Sequence, residues 1–153
     1  MLKPFVIFVS LVVSAASVAA TMTAVCGPFR GYTIGVSGSS QKHELIDRED
    51  AMNATFTVVW EVGANDARVT GSGPMPTEEK AILVMNGQNQ ISFGVVYPVS
   101  FFVYSIYPDR KVMLVTKHTH TSGLDFDGAR GFTMLGDCQI EVAGGDQTEV
   151  PQF

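Results

Sequence analysis

The sequence predicts an all-β protein, an antiparallel up-and-down meander of about eight strands that is closed or nearly closed into a barrel, with a two-sheet β-sandwich as the alternative. Three observations carry this expectation. From residue 31 onward apolar and polar residues alternate with period two, the pattern of strands that bury one face. Short clusters of Gly, Pro, Asn and Asp separate these runs, so strands adjacent in sequence become neighbours in the sheet. The two cysteines, Cys26 and Cys138, stand near opposite ends of the chain. Pairing them would bring the start of the meander beside its last strand and close the sheet.

The first residues do not belong to that pattern. Lys3 precedes an apolar run from Phe5 to Val13 interrupted only by Ser10, and Ser14 to Ala20 is rich in small residues. This is the layout of a secretory signal peptide, with cleavage after Ala20 preferred to cleavage after Ala19. The expected organisation is therefore a signal peptide over residues 1–20 and one β domain over 21–153, in a secreted or periplasmic protein. The apolar run is shorter than the roughly 20 residues of a membrane span and no second span follows, so no integral membrane span is expected after cleavage. Lipidation at Cys26 is disfavoured, because Thr23 and Val25 stand where Leu and a small residue are usual. In an oxidising compartment Cys26 and Cys138 then read as one disulfide. A bridge closing so long a loop contributes on the order of 4–5 kcal/mol in the chain-entropy account.

Within the β domain the first strand is expected over residues 31–37, with Tyr32, Ile34 and Val36 on one side and Thr33, Gly35 and Ser37 on the other. Residues 40–52 are ambiguous. Ser40 could cap a short helix facing Leu45, Ile46 and Met52 inward, and Lys42 to Asp47 could form an extra edge strand; helix or loop is the preferred reading. The second strand, 54–62, gathers Phe56, Val58, Trp60 and Val62 on one face, and a turn over Gly63 to Asp66 returns the chain into 66–72. Gly73-Pro74-Met75-Pro76 interrupts the ladder, since proline has no N–H to donate.

A strand at 80–86 leads to Asn86-Gly87, a strong signal for a type I′ hairpin, with its partner at 89–97. Residues 100–107 are apolar or aromatic on both faces and read as the most buried strand. Pro108-Asp109 fits a turn into 111–119. The last strand, 131–140, places Phe132, Met134, Gly136, Cys138 and Ile140 on one side.

Composition narrows the function classes. With 10 Lys and Arg against 15 Asp and Glu the net charge is −5, the wrong sign for a nucleic-acid binder. Hydrophobic residues make up 46% of the chain and charged ones 16%, enough to bury a core without help from a partner. There is no Gly-x-Ser-x-Gly elbow and no phosphate-binding glycine loop, and the disulfide would consume both thiols, so catalysis is disfavoured and no cofactor is expected. Carboxylate pairs can be drawn from Glu61, Asp66, Glu78 and Glu79, but a solvated acidic face explains them as well. Asn53-Ala54-Thr55 is a formal glycosylation acceptor.

Two constellations remain. Trp60, Phe93, Tyr97, Phe102 and Tyr104 could line an apolar pocket and bind a small aromatic or apolar ligand, against the plainer reading that they fill the core. His118 and His120 project to the same side of one strand, and with Asp125 and Asp127 they form a candidate metal site. Asp125-Phe126-Asp127-Gly128 lacks the later oxygen ligands of a calcium loop. If the side of that strand bearing Val112, Leu114 and Thr116 lines the interior, the two histidines would sit at the barrel mouth.

The general plan is similar to that of lipocalin and avidin barrels. Gly31 is followed by Tyr32 and Thr33 rather than by the Gly-x-Trp of a lipocalin, so no functional residues carry over. The leading expectation is an exported, non-enzymatic barrel that binds a small ligand. A structural or protein-interaction module with a filled core is the alternative, and a metal-dependent site at His118 and His120 the second alternative.

Overall fold

The computed structural model describes residues 19–37, 44–72, 77–121 and 128–144. Strands occupy nearly all of them: β1 Thr21–Ser37, β2 Glu44–Met52, β3 Phe56–Glu61, β4 Asp66–Gly71, β5 Thr77–Gly87, β6 Gln90–Tyr97, β7 Ser100–Tyr107, β8 Val112–Thr121 and β9 Gly128–Ala143. One short 3-10 helix, Pro108–Arg110, joins β7 to β8. The connections at 38–43, 73–76 and 122–127 lie outside the described residues, and with them Gly73-Pro74-Met75-Pro76, Asp125 and Asp127.

The sheet closes. Every neighbouring pair is antiparallel in the order β2-β1-β3-β4-β5-β6-β7-β8-β9, and β9 pairs back onto β1. Eight strands, β1 and β3 to β9, complete the barrel, and β2 is an additional strand. It lies end to end with β3 along one edge of β1: Thr21 to Cys26 pair with Glu61 to Phe56, and Phe29 to Ser37 pair with Met52 to Glu44. Residues 44–52 are thus a strand, not the helix or loop preferred from sequence. A helix there would have left the second half of β1 without a ladder on that side, and the extended backbone of β2 satisfies those groups.

The seam between β1 and β9 is where the cysteines meet. Cys26 and Cys138 are direct cross-strand partners with Cα atoms 4.1 Å apart, bonded to each other across a sequence separation of 112. Cys26 is inside β1, because the strand begins at Thr21, ten residues before the expected start. Gly27 and Pro28 form a bulge there, two residues opposite the single residue Asp137, since Cys26 pairs with Cys138 but Phe29 with Gly136. Gly27 takes φ +127°, open to glycine and unfavourable for other residues.

The bulge reverses which side of β1 faces in. Met22, Ala24 and Cys26 are buried before it, and Phe29 and Thr33 after it, so Tyr32 and Ile34 point outward at 57% and 55% exposure while Thr33 is 7% exposed. Thr33 is accommodated by donating its hydroxyl to the Asp50 carboxylate at 3.1 Å. A one-residue change of register moves a whole side-chain set to the other face, which explains why period-two reading of residues 31–37 cannot place this segment.

Two further details differ from the sequence reading. Asn86 and Gly87 stay in β5, with Gly87 paired to Gln90, so the turn falls on Gln88 and Asn89. A register shift between Leu83 and Met85 moves the pairing along, and Gly87 does not adopt the positive φ that a type I′ turn would require. The most buried strand is β6, in which five consecutive residues, Ile91 to Val95, are buried; in β7 the buried run is Tyr104 to Ile106. β6 is covered on its outer side because Ser92 and Ser105 hydrogen-bond to each other at 2.9 Å and Phe101 lies over Gly94.

The interior is packed. Met22, Phe29, Val58, Trp60, Val69, Ile91, Phe93, Ile106, Met113 and Val115 are all fully buried. At the end that carries the β3–β4, β5–β6 and β7–β8 turns, Trp60 donates its indole N–H to the Ala64 carbonyl at 2.9 Å and meets Phe93 edge-on at 5.8 Å. The opposite end, past which β1, β2, β8 and β9 run on, is called the extended end. On the outer surface Lys80 pairs with Asp66 at 2.9 Å and Arg68 with Glu78 at 3.7 Å, both exposed. Among the described residues no helix is long and apolar enough to cross a membrane.

Candidate functional site

Alternation decides which side chains enter the barrel, and register decides at what height. On β5 the inward set includes Glu79 and Ala81, on β6 Phe93, Val95 and Tyr97, and on β7 Phe102, Tyr104 and Ile106. On β8 it is Met113 and Val115, both fully buried, and therefore also Lys117 and Thr119, which share their parity. On β9 it is Phe132, Met134 and Cys138. Read along the barrel, the apolar set gives way near the extended end to a mixed one of Glu79, Tyr97, Phe102, Lys117, Thr119 and Phe132.

The aromatic side chains form one connected series. Phe29 meets Phe56 at 5.5 Å and Phe56 meets Tyr104 edge-on at 5.3 Å. Tyr104 stacks on Phe102 at 6.1 Å, and Phe102 in turn contacts Tyr97 at 5.6 Å and Phe132 at 6.1 Å, both edge-on. The geometry is that favoured by ring quadrupoles. The series has room at its inner end because residue 136 is glycine: a Cβ there would lie 2.7 Å from the Phe29 ring. Phe29 at 0% exposure and Tyr104 at 3% are buried, Phe56 between them is partly buried, and Phe102, Tyr97 and Phe132 toward the extended end are half-buried.

Three polar groups accompany the half-buried rings. Tyr97 donates its hydroxyl to Glu79; burial first, then this hydrogen bond and the carboxylate charge, push its pKa up to about 12. Tyr104 is raised further, by burial and then by the nearby Tyr97 and Glu79. Lys117 holds its Nζ 4.7 Å from the centre of the Phe102 ring and 6.0 Å from that of Phe132. Burial lowers its pKa below the usual lysine value. Neither ion pair among the described residues involves it. Thr119, the next inward residue on β8, has a buried hydroxyl with no hydrogen-bond partner among the described residues.

All five aromatic residues singled out from sequence are on the inner side, but they divide. Trp60 and Phe93 belong to the solid core, Tyr104 is its upper boundary, and Tyr97 and Phe102 stand at the extended end. Lys117 and Phe132 were not among the predicted site residues. The signal was ambiguous: Lys117 follows Met113 and Val115 at period two, but Val112 and Leu114 make the other side of the strand equally apolar. The sequence reading followed the side with Val112, Leu114 and Thr116. That side is the outer one, and His118 is exposed on it between its cross-strand partners Phe101 and Gly131. His118 therefore does not stand at the barrel mouth. His120 is in β8, opposite Ala129. Among the described residues no three His, Cys, Asp or Glu side chains converge as a metal site. The carboxylates considered for acid–base work also separate: Asp66 and Glu78 pair with lysine and arginine outside, while Glu79 faces inward.

A concavity lies on the outer wall near the β7–β8 turn, a solvent-open groove of about 580 Å³ lined by Asn89, Tyr107, Asp109, Arg110, Leu114 and Leu135 among others.

Comparison of the chain with family models, curated proteins and solved structures returns no match.

Proposed function

We propose that this chain is an exported, disulfide-closed β-barrel whose role is to bind a small aromatic ligand at its extended end. The observation that carries this reading is the gradient of burial along the ring series. Trp60 and Phe93 are packed on all sides, so the middle of the barrel has no place for a guest. Tyr97, Phe102 and Phe132 are equally aromatic, face the same interior and are only half covered. Aromatic faces left partly uncovered at a barrel end, beside a few polar groups that fix orientation, are the usual composition of a small-ligand site. Export is supported by the cysteine pair, which persists as a disulfide in an oxidising compartment and not in the cytosol.

The test is to purify the disulfide-intact protein from its native host, release bound molecules and identify them by mass spectrometry, then titrate the recovered compound while following backbone amide shifts. Shifts confined to the ends of β6, β7, β8 and β9 around Tyr97, Phe102, Lys117 and Phe132 are expected, and Phe102→Ala should weaken binding by about tenfold or more. Shifts centred on the outer groove, or none, would overturn the reading.

A specific observation favours a second reading as a protein-interaction module. Ile82, Val84 and Met85 on β5 and Val96 and Val99 around the β6–β7 turn are all exposed, Val96 at 71%, and Phe101 packs beside them over Gly94. Contiguous exposed apolar surface is typical of interaction sites.

A further inference from the structure

Resting on the ligand-binding reading just given, we propose that the extended end selects an aromatic carboxylate, whose anionic head is received by the Lys117 ammonium and the Thr119 hydroxyl while its ring lies against Phe102 and Phe132. Three features on the inner side of the barrel converge on this chemistry. The ammonium of Lys117 is drawn into a partly desolvated position where aromatic faces are its recorded contacts, 4.7 Å and 6.0 Å from the ring centres. Ring faces attract a cation, but they do not supply the hydrogen-bond acceptors it loses with its water. Thr119 lies two residues further along the same face of β8, and its buried hydroxyl has no partner among the described residues. A carboxylate has two oxygens and would give each of these donors an acceptor at once.

The surroundings exclude the alternatives. A cationic ligand, the other common guest of aromatic clusters, would be repelled by the Lys117 ammonium beside Phe102. A neutral hydrocarbon would cover the rings and deepen the burial of both donors without satisfying either, which is costly. Two carboxylates among the described residues stand on the inner side near this end: Glu79, engaged by the Tyr97 hydroxyl on the β5–β6 side, and Asp50, which accepts from Thr33. The shift of Lys117 has burial as its cause, and among the described residues no ion pair engages it, so an anion from outside would supply its counter-charge.

The experiment uses 2-naphthoate and its neutral counterpart 2-naphthamide as probes, titrated by calorimetry into the disulfide-intact protein and into its Lys117→Met and Thr119→Val variants. The expected result is that the wild type binds naphthoate at least about tenfold more tightly than naphthamide, that Lys117→Met erases the preference by weakening naphthoate, and that Thr119→Val reduces it several-fold. Because Lys117→Met replaces a partly desolvated charge by an apolar chain of similar length, its melting temperature should hold or rise, which a merely structural lysine would not allow. Equal affinities for the two probes, or a preference that survives in Lys117→Met, would overturn the anion inference and leave the aromatic site standing. Binding of neither probe at millimolar concentration would overturn both.

Discussion

Tyr97 and Lys117 occupy the same end of the same barrel and are perturbed in different ways. Tyr97 has a partner for its proton: with Glu79 accepting from it and the site partly dehydrated, the phenol resists ionisation until about pH 12. Its folded pKa is raised above the unfolded value of 10.0, so the associated stability is fully present below about pH 10 and disappears as pH rises through the interval to about 12. Tyr104, the more buried of the two, is shifted the same way. Absorbance near 295 nm should accordingly show tyrosine that stays un-ionised in the folded protein at about pH 11 and ionises when denaturant is added, and Tyr97→Phe should reduce that fraction. Complete ionisation before unfolding would contradict the burial described here. Lys117 has no such partner among the described residues, and a charge placed without one lowers stability. Tyr97 could be placed on an inward face from alternation alone, since it follows Ile91, Phe93 and Val95 at period two, whereas Lys117 could not, because Val112 and Leu114 make the other side of its strand equally apolar. The partner of Tyr97 could not be placed so, because Glu79 reaches it from another strand.

The strands divide by how many neighbours they have. β6 lies between β5 and β7 and is buried on both sides, whereas β2 pairs with β1 on one side and has no described partner on the other. Amide protection follows hydrogen bonding and burial, so hydrogen exchange should be slowest in Ile91 to Val95 and faster, by about a hundredfold or more, in β2. Equal protection in the two would mean that β2 is covered by something else. The same contrast separates what the sequence revealed from what it hid. β3, β4, β6 and β7 were legible almost to the residue because each runs unbroken with one apolar face or a continuous apolar core. β1 was half missed, since Gly27-Pro28 reads as a break in any local pattern and becomes a bulge only when Cys26 and Phe29 are both held in register by β9. β2 was missed because nothing in Glu44 to Met52 alternates; it is a strand because the second half of β1 offers it an edge.

Closure is the property of the whole molecule from which the rest derives. β1 and β9 are far apart in sequence, and their pairing makes an inside with two ends. The Cys26–Cys138 bond crosses that seam and closes a loop of 112 residues, worth roughly 4–5 kcal/mol in the chain-entropy account. Cys138→Ser should therefore lower the melting temperature by about 10 °C or more for a domain of this size, measured by calorimetry, while reduced and oxidised wild type should differ by a similar amount. A shift within a degree or two would show that the seam's backbone ladder is sufficient without the bridge.

Local pattern was enough to establish an all-β meander, its short turns, the pairing of its two cysteines and the shared inward face of Trp60 on β3 and of Phe93 and Tyr97 on β6, because a period of two and a proline or glycine act within a few residues; Phe102 and Tyr104 lie on a strand apolar on both faces, where alternation does not choose. Which of those rings are solid core and which face an opening, that Tyr32 and Ile34 look outward, and that Lys117 and Thr119 rather than His118 stand inside could be settled only by the closed barrel. Register is a relation between strands distant in sequence, and a single bulge in β1 is sufficient to exchange inside for outside.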